Sequence, residues 1–254
     1  MAVPRRRPRA TLGGSGRSEG RVASWDHLGA VGVAALLCAG LCAAARVRPG
    51  PWTGVAARVL AVVLVGFLVA WQVVTVAEGR WSATNGLMLD LCPVSAATAA
   101  AALWTRRPLL AELAYFWGCA GSVQGLITPD RRWHFPEFFY VQFYVIHAGV
   151  VVAGLFLVIG LGLAPRPHAV RRVFALTLAF AGVCAVADVV TGGNYMFLRD
   201  QGGGGTLLDV MGPWPWYIAT GMVLALVLLT LLDAPFRHGG VRRPTEPLRP
   251  TTPR

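Results

Sequence analysis

Apolar positions along this chain fall in long blocks, without the three-to-four-residue rhythm of a soluble amphipathic helix. A bilayer core of roughly 30 Å asks for about 20 such residues in a helix. Seven blocks approach that length, over residues 27–45, 55–77, 87–105, 109–128, 139–163, 169–191 and 214–234, the third being the least apolar. The pattern predicts an all-α fold, a polytopic transmembrane helical bundle of about seven spans occupying 27–235. Residues 1–26 and 236–254 are rich in Arg, Pro, Gly and Ser or Thr and are expected to be disordered tails. Ala43-Ala44-Ala45 resembles a signal-peptide cleavage site, but the basic lead-in is long and diffuse, so the first block is read as a retained span.

Composition agrees with this picture: 55% of residues are hydrophobic and only 14% are charged, so the core is shared with lipid. The net charge of +11 raises the question of nucleic acid. All 23 basic residues are Arg, and they lie in the two tails or beside apolar blocks, where topology and headgroup contact require them. Membrane lipid is therefore the expected partner, not nucleic acid, and the oligomeric state is left open. The loops after spans 1, 3 and 5 and the C-terminal tail are richer in Arg than those after spans 2, 4 and 6. The latter hold Arg80, Arg131, Arg132 and Arg199. A multi-pass cell-membrane protein with its N-terminus outside and its C-terminus in the cytoplasm is expected, although the Arg residues of the N-terminal tail count against that orientation.

Polar and aromatic residues gather at one membrane face. Intramembrane polar side chains are costly and serve as default site hypotheses. Asp90 and Cys92 open span 3, Gln124 closes span 4, and Gln142, Tyr144 and His147 lie in the first turns of span 5. Asp188 is one turn from the end of span 6. At 1.5 Å rise per residue, all fall within roughly 5–14 Å of the same face. Glu112 and Asp233 belong to the opposite one.

Five cysteines occur, at 38, 42, 92, 119 and 184, with no CxxC pair or zinc spacing, so neither metal nor cofactor is implied. Cys92 differs from the rest because Pro93 follows it. The proline either kinks span 3 or starts a helical segment with Cys92 as its N-cap, facing free N–H groups and the positive end of the helix dipole. A thiol there beside His147 would be an activated nucleophile. The plainer alternative is a buried cysteine at a kink and a hydrogen-bonded core histidine. Tyr140, Tyr144 and His147 share one helical face, which suits either a polar pocket or interhelical packing. An intramembrane Asp188 calls for a partner, for which His147 and Arg199 are the choices.

Several segments carry a family likeness. They are Leu91-Cys92, Glu112 to Gly118, Gln124 to Asp130, Phe143 with His147, Gly193 to Arg199, and Leu208-Asp209 with Gly212 to Tyr217. Together, over about residues 55–235, they resemble the YwaF-like family of bacterial integral membrane proteins. That family is similar to a eukaryotic transmembrane acyltransferase family that remodels ether phospholipids through a cysteine and a histidine. It is more distantly similar to membrane hydrolases of lipid esters. The resemblance implies a lipid acyltransferase or hydrolase with Cys92 as acyl acceptor and His147 as base. Gln124, Asn194 or Arg199 would then bind the oxyanion or a headgroup phosphate. The family pattern has His two residues before the cysteine and Asp directly after it, where this chain has Asp90 and Pro93. The alternatives are a non-enzymatic carrier or receptor whose polar cluster binds a lipid or solute, and a structural membrane protein.

Overall fold

The computed structural model describes residues 25–128, 133–202 and 207–237. Eight α-helices run through it. They are α1 (Trp25–Val47), α2 (Trp52–Ala77), α3 (Leu91–Thr105), α4 (Pro108–Trp117), α5 (Val123–Ile127), α6 (Phe138–Leu155), α7 (Ala169–Thr191) and α8 (Trp216–Arg237). A π turn, Gly118–Ser122, joins α4 to α5 in one rod, and a second, Phe156–Gly160, prolongs α6. Seven rods result, one for each expected block. Five are long and apolar enough to cross a membrane. The other two are the 15-residue α3 and the rod interrupted by its π turn.

The differences from the expected boundaries have local causes. Span 3 was expected from residue 87, but the helix starts at Leu91, because Met88 has positive φ and Asp90 is extended. Residues 25, 26, 236 and 237, assigned to tails, are helical. At that end, α8 continues past Pro235 because Arg237 donates back to Asp233 at 2.6 Å and to the Arg166 carbonyl at 2.8 Å. The remainder of both tails lies outside the described residues.

The rod α4–α5 and helix α6 form the centre. Over half of the apolar window of α6 is buried, against 6% for α1, which therefore meets lipid along nearly its whole length. Close approach at the centre depends on small residues. A Cβ on Gly154 would lie 2.8 Å from the Ala114 carbonyl oxygen, and one on Gly118 would lie 3.0 Å from that of Val150. The alanine-rich face of α3, with Ala96, Ala99 and Ala102 fully buried, packs against this centre. Helices α7 and α8 pair with each other on its other side.

The helices alternate in direction, so residues at either end of the bundle collect at two faces. At the face holding the C-terminus of α8, buried Glu112 accepts hydrogen bonds from the Arg166 and Arg172 guanidinium groups, both at 2.9 Å. That carboxylate raises the Arg166 pKa above its ordinary value. Glu112 and Asp233 thus sit where the sequence put them, tying α4, α7, α8 and the loop before α7 together.

Candidate functional site

The opposite face holds the polar residues singled out in the sequence, in three neighbouring groups. The first surrounds the π turn and α5. Cys92 is the second residue of α3, so the N-cap is Asp90, not Cys92. Pro93 stands in the first turn, where its missing N–H is no loss. Cys92 still occupies the turn of unpaired N–H groups, half-buried, with its thiol beside the buried Ser122 hydroxyl. That hydroxyl satisfies no full hydrogen bond.

His147, on α6, faces the rod one turn further on, in α5. Its Nδ1 lies 2.8 Å from the Phe143 carbonyl oxygen, and its ring stacks on that of Phe143 at 4.1 Å. A carbonyl can only accept, so Nδ1 carries the proton and Nε2 keeps its lone pair. Nε2 would lie 3.0 Å from a Cβ on Gly125, so the ring occupies the space this glycine leaves free. Ser122 and Gly125 are three residues apart and therefore on one side of the rod. Cys92 thus adjoins the rod at Ser122 and His147 adjoins it at Gly125, and no hydrogen bond joins the two among the described residues.

The second group is structural in its contacts. Asp188 is 1% exposed and was expected to pair with His147 or Arg199. Its carboxylate instead accepts the Tyr195 N–H at 2.6 Å, which leaves Oδ2 without a partner. Arg199 reaches only the main-chain carbonyls of Asp188 and Gly193, both at 3.3 Å, at the C-terminal end of α7. Asp90 accepts the next amide, that of Met196, at 3.0 Å. Asn194 closes the following loop, its Oδ1 accepting from the Arg199 and Asp200 amides. Gln124 contributes a main-chain carbonyl that caps Thr128. Asp90 and Asp188 together therefore hold two successive amides of one loop, and Asn194, Arg199 and Gln124 serve chain ends.

The third group is a pocket of about 180 Å³ between α2, α6 and the segment before α6. Gln142 and Tyr144 line it with Trp71, Trp133, Phe139, Tyr140 and Phe143. The Tyr144 hydroxyl meets His27 Nδ1 on α1 at 2.7 Å, so the expected tyrosine–histidine stripe is divided. Tyr144 docks α1, whereas His147 turns to α5. Beside this pocket, a groove of about 580 Å³ runs between α1, α5 and α6, lined by apolar residues such as Val31, Leu126, Ala148 and Val152.

Ser122, Gly125, Trp71 and Trp133 were not foreseen as site residues. The run Gly118, Gly121, Gly125 was the available signal for close approach, but only a structure says which neighbour fills each gap. Among the described residues, no group of His, Cys, Asp and Glu could hold a metal ion.

Apolar rods with both polar ends gathered at two faces define a polytopic helical membrane protein. The chain belongs to the TMEM164 family, whose family model matches residues 22–233. No curated protein and no solved structure matches it.

Proposed function

We propose that this protein transfers or hydrolyses acyl groups of membrane lipids, with Cys92 as nucleophile and His147 as base. The observation that carries this reading is the orientation of His147. Its Nδ1–H is committed to the Phe143 carbonyl, so the basic Nε2 faces α5 at Gly125, one turn along the rod from the Ser122 that adjoins the Cys92 thiol. Proton transfer from the Cys92 thiol to Nε2 gives a thiolate in the N-terminal turn of α3, where unpaired amides and the helix dipole favour negative charge. The thiolate attacks an ester carbonyl, and the leaving lysolipid oxygen takes the proton from the imidazolium. The resulting thioester passes its acyl group to a second lysolipid or to water. The apolar groove between α1, α5 and α6 adjoins His147 through Ala148 and has room for an acyl chain.

Catalytic hydrogen bonds are often long before substrate binds, so the missing bond does not by itself remove the pair. A site of this kind serves the leaflet at the face where α1 begins. With the N-terminus outside, as the loop Arg residues favour, that is the outer leaflet of the cell membrane.

A second reading is a lipid-binding protein without chemistry. It has its own support in the missing Cys92–His147 hydrogen bond. The two separate on one experiment. Reconstituted protein is incubated with a phospholipid carrying a labelled acyl chain, and hydroxylamine-sensitive label on the protein is measured. Acyl transfer predicts label that disappears in Cys92→Ala and falls at least tenfold in His147→Gln. Lipid binding with no thioester, or label unchanged in Cys92→Ala, removes the catalytic reading.

A further inference from the structure

We propose that the aromatic pocket beside His147 is a headgroup site for an organic ammonium, the cationic end of a zwitterionic phospholipid, with Arg80 placed to take the phosphate. As a substrate subsite it rests on the acyl-transfer reading.

Six of the seven residues lining the pocket are aromatic, and no carboxylate is among them. Ring faces carry a negative quadrupole, so a box of rings without an acid selects a cation that is bulky and weakly hydrated. Two of these rings already hold one. The Arg80 guanidinium carbon stands 4.3 Å from the Phe139 ring centroid and 5.2 Å from that of Trp133.

Simple aromatic packing would close the space. Here about 180 Å³ stays open, and Tyr140 on its wall has its buried hydroxyl beside that of Tyr144 without a full hydrogen bond. A hydroxyl satisfied only in this weak way can still accept a hydrogen bond from a ligand. An ammonium with N–H groups would donate to it, whereas a quaternary ammonium would use the ring faces alone.

Arg80 lies at the rim. It is exposed, and its Nε pairs with Glu78 at 2.9 Å. A surface pair of this kind is weak, so a phosphate can replace Glu78 and take the planar fork in bidentate fashion.

Depth is consistent with this assignment. Tyr140 precedes His147 by seven residues on α6, about 10 Å of helix rise. The pocket therefore sits nearer the membrane surface than Nε2, as a headgroup sits nearer the surface than its ester bond. Phe143 connects the two levels, since its ring lines the pocket and stacks on His147.

The test is binding, measured by native mass spectrometry or equilibrium dialysis on the full protein in detergent. The probes are three lysophospholipids of equal chain length, with choline, ethanolamine or glycerol headgroups. Choline or ethanolamine is expected to bind about tenfold tighter than glycerol, as a desolvated cation–π site provides. Trp71→Leu is expected to erase that preference, and Arg80→Gln to weaken all three probes alike. Ethanolamine over choline, lost in Tyr140→Phe, assigns the hydroxyl as acceptor; equal binding of the two assigns the ring faces alone. Should Trp71→Leu not fold, Phe139→Leu takes its place. Glycerol binding as tightly as the others, or a preference untouched by the ring substitutions, overturns the site. The assay requires no turnover. A headgroup preference without a Cys92 thioester therefore leaves the pocket and removes the chemistry, and the opposite pair of results does the reverse.

Discussion

Gly125 and His147 are fitted to one another: a Cβ at residue 125 would stand 2.7 Å from Cδ2 and 3.0 Å from Nε2 of the imidazole. The contact is with a side chain whose other nitrogen is anchored to Phe143 at 2.8 Å, so the ring cannot simply swing away. Gly125 lies inside α5, where an alanine would ordinarily be worth up to about 1 kcal/mol of helix stability.

Gly125→Ala is therefore expected to separate stability from activity. The helix propensity gained offsets part of the clash, and thermal unfolding in detergent should shift by only a few degrees. Displacing Nε2 by even 1 Å should lower thioester formation by roughly a hundredfold. An alanine variant with unchanged thioester yield would mean that Nε2 is not the base.

The two carboxylates of the neighbouring group make a different prediction. Asp90 and Asp188 accept the amides of Met196 and Tyr195, adjacent residues of the loop after α7. Either substitution to Ala frees one amide of the same short segment, so the two losses should not add. A double-mutant cycle by thermal unfolding is expected to give a coupling of about 1 kcal/mol. Strict additivity would show that the two contacts hold the loop independently.

The sequence carried the bundle well because lipid imposes one simple demand, a run of apolar residues long enough to span it. All seven blocks reappear as rods, and the depth estimate correctly put Glu112 and Asp233 at one face and Cys92, His147 and Asp188 at the other. Rotation about each axis was less legible. Asp188 was given Arg199 or His147 as partner because a charge seeks a charge. Yet a main-chain amide of its own following loop was closer, and Arg199 serves carbonyls instead. Tyr144 and His147 share a face on paper, but each finds a different neighbouring helix, α1 and α5. The π turn at Gly118–Ser122 shifts the register of every residue after it, and no spacing in the sequence announces that shift.

Glu112 offers a stability test remote from the proposed chemistry. Its carboxylate is 1% exposed and joined to two guanidinium groups whose side chains are 46% and 35% exposed. Glu112→Gln keeps the shape and removes the charge. Because water reaches both arginines, the loss is expected at about 2 kcal/mol, below that of a fully buried ion pair. Thermal unfolding should fall accordingly, with thioester formation per folded molecule unchanged. A fall in thioester yield equal to that of Cys92→Ala would instead connect the two faces.

Tyr195 provides the last prediction. It is 2% exposed; its hydroxyl donates to the Ala83 carbonyl at 2.9 Å and accepts the Leu87 amide at 3.1 Å. One side chain thus fastens the loop after α7 to the loop that leads into α3 and Cys92. In Tyr195→Phe the ring still fills its place, while the carbonyl and the amide each lose a partner. The destabilisation is expected at about 1–3 kcal/mol. Its effect should be local, because the loop of residues 78–90 keeps its other anchors, the Gln72 side chain on the Gly86 carbonyl and Met88 against the core. Hydrogen exchange would show it directly: amides at 83–92 should exchange at least tenfold faster in the variant, with those of α6 unaltered. Uniformly faster exchange across α3 and α6 would show instead that Tyr195 stabilises the bundle as a whole, and the loop would lose its standing as a separate support for Cys92.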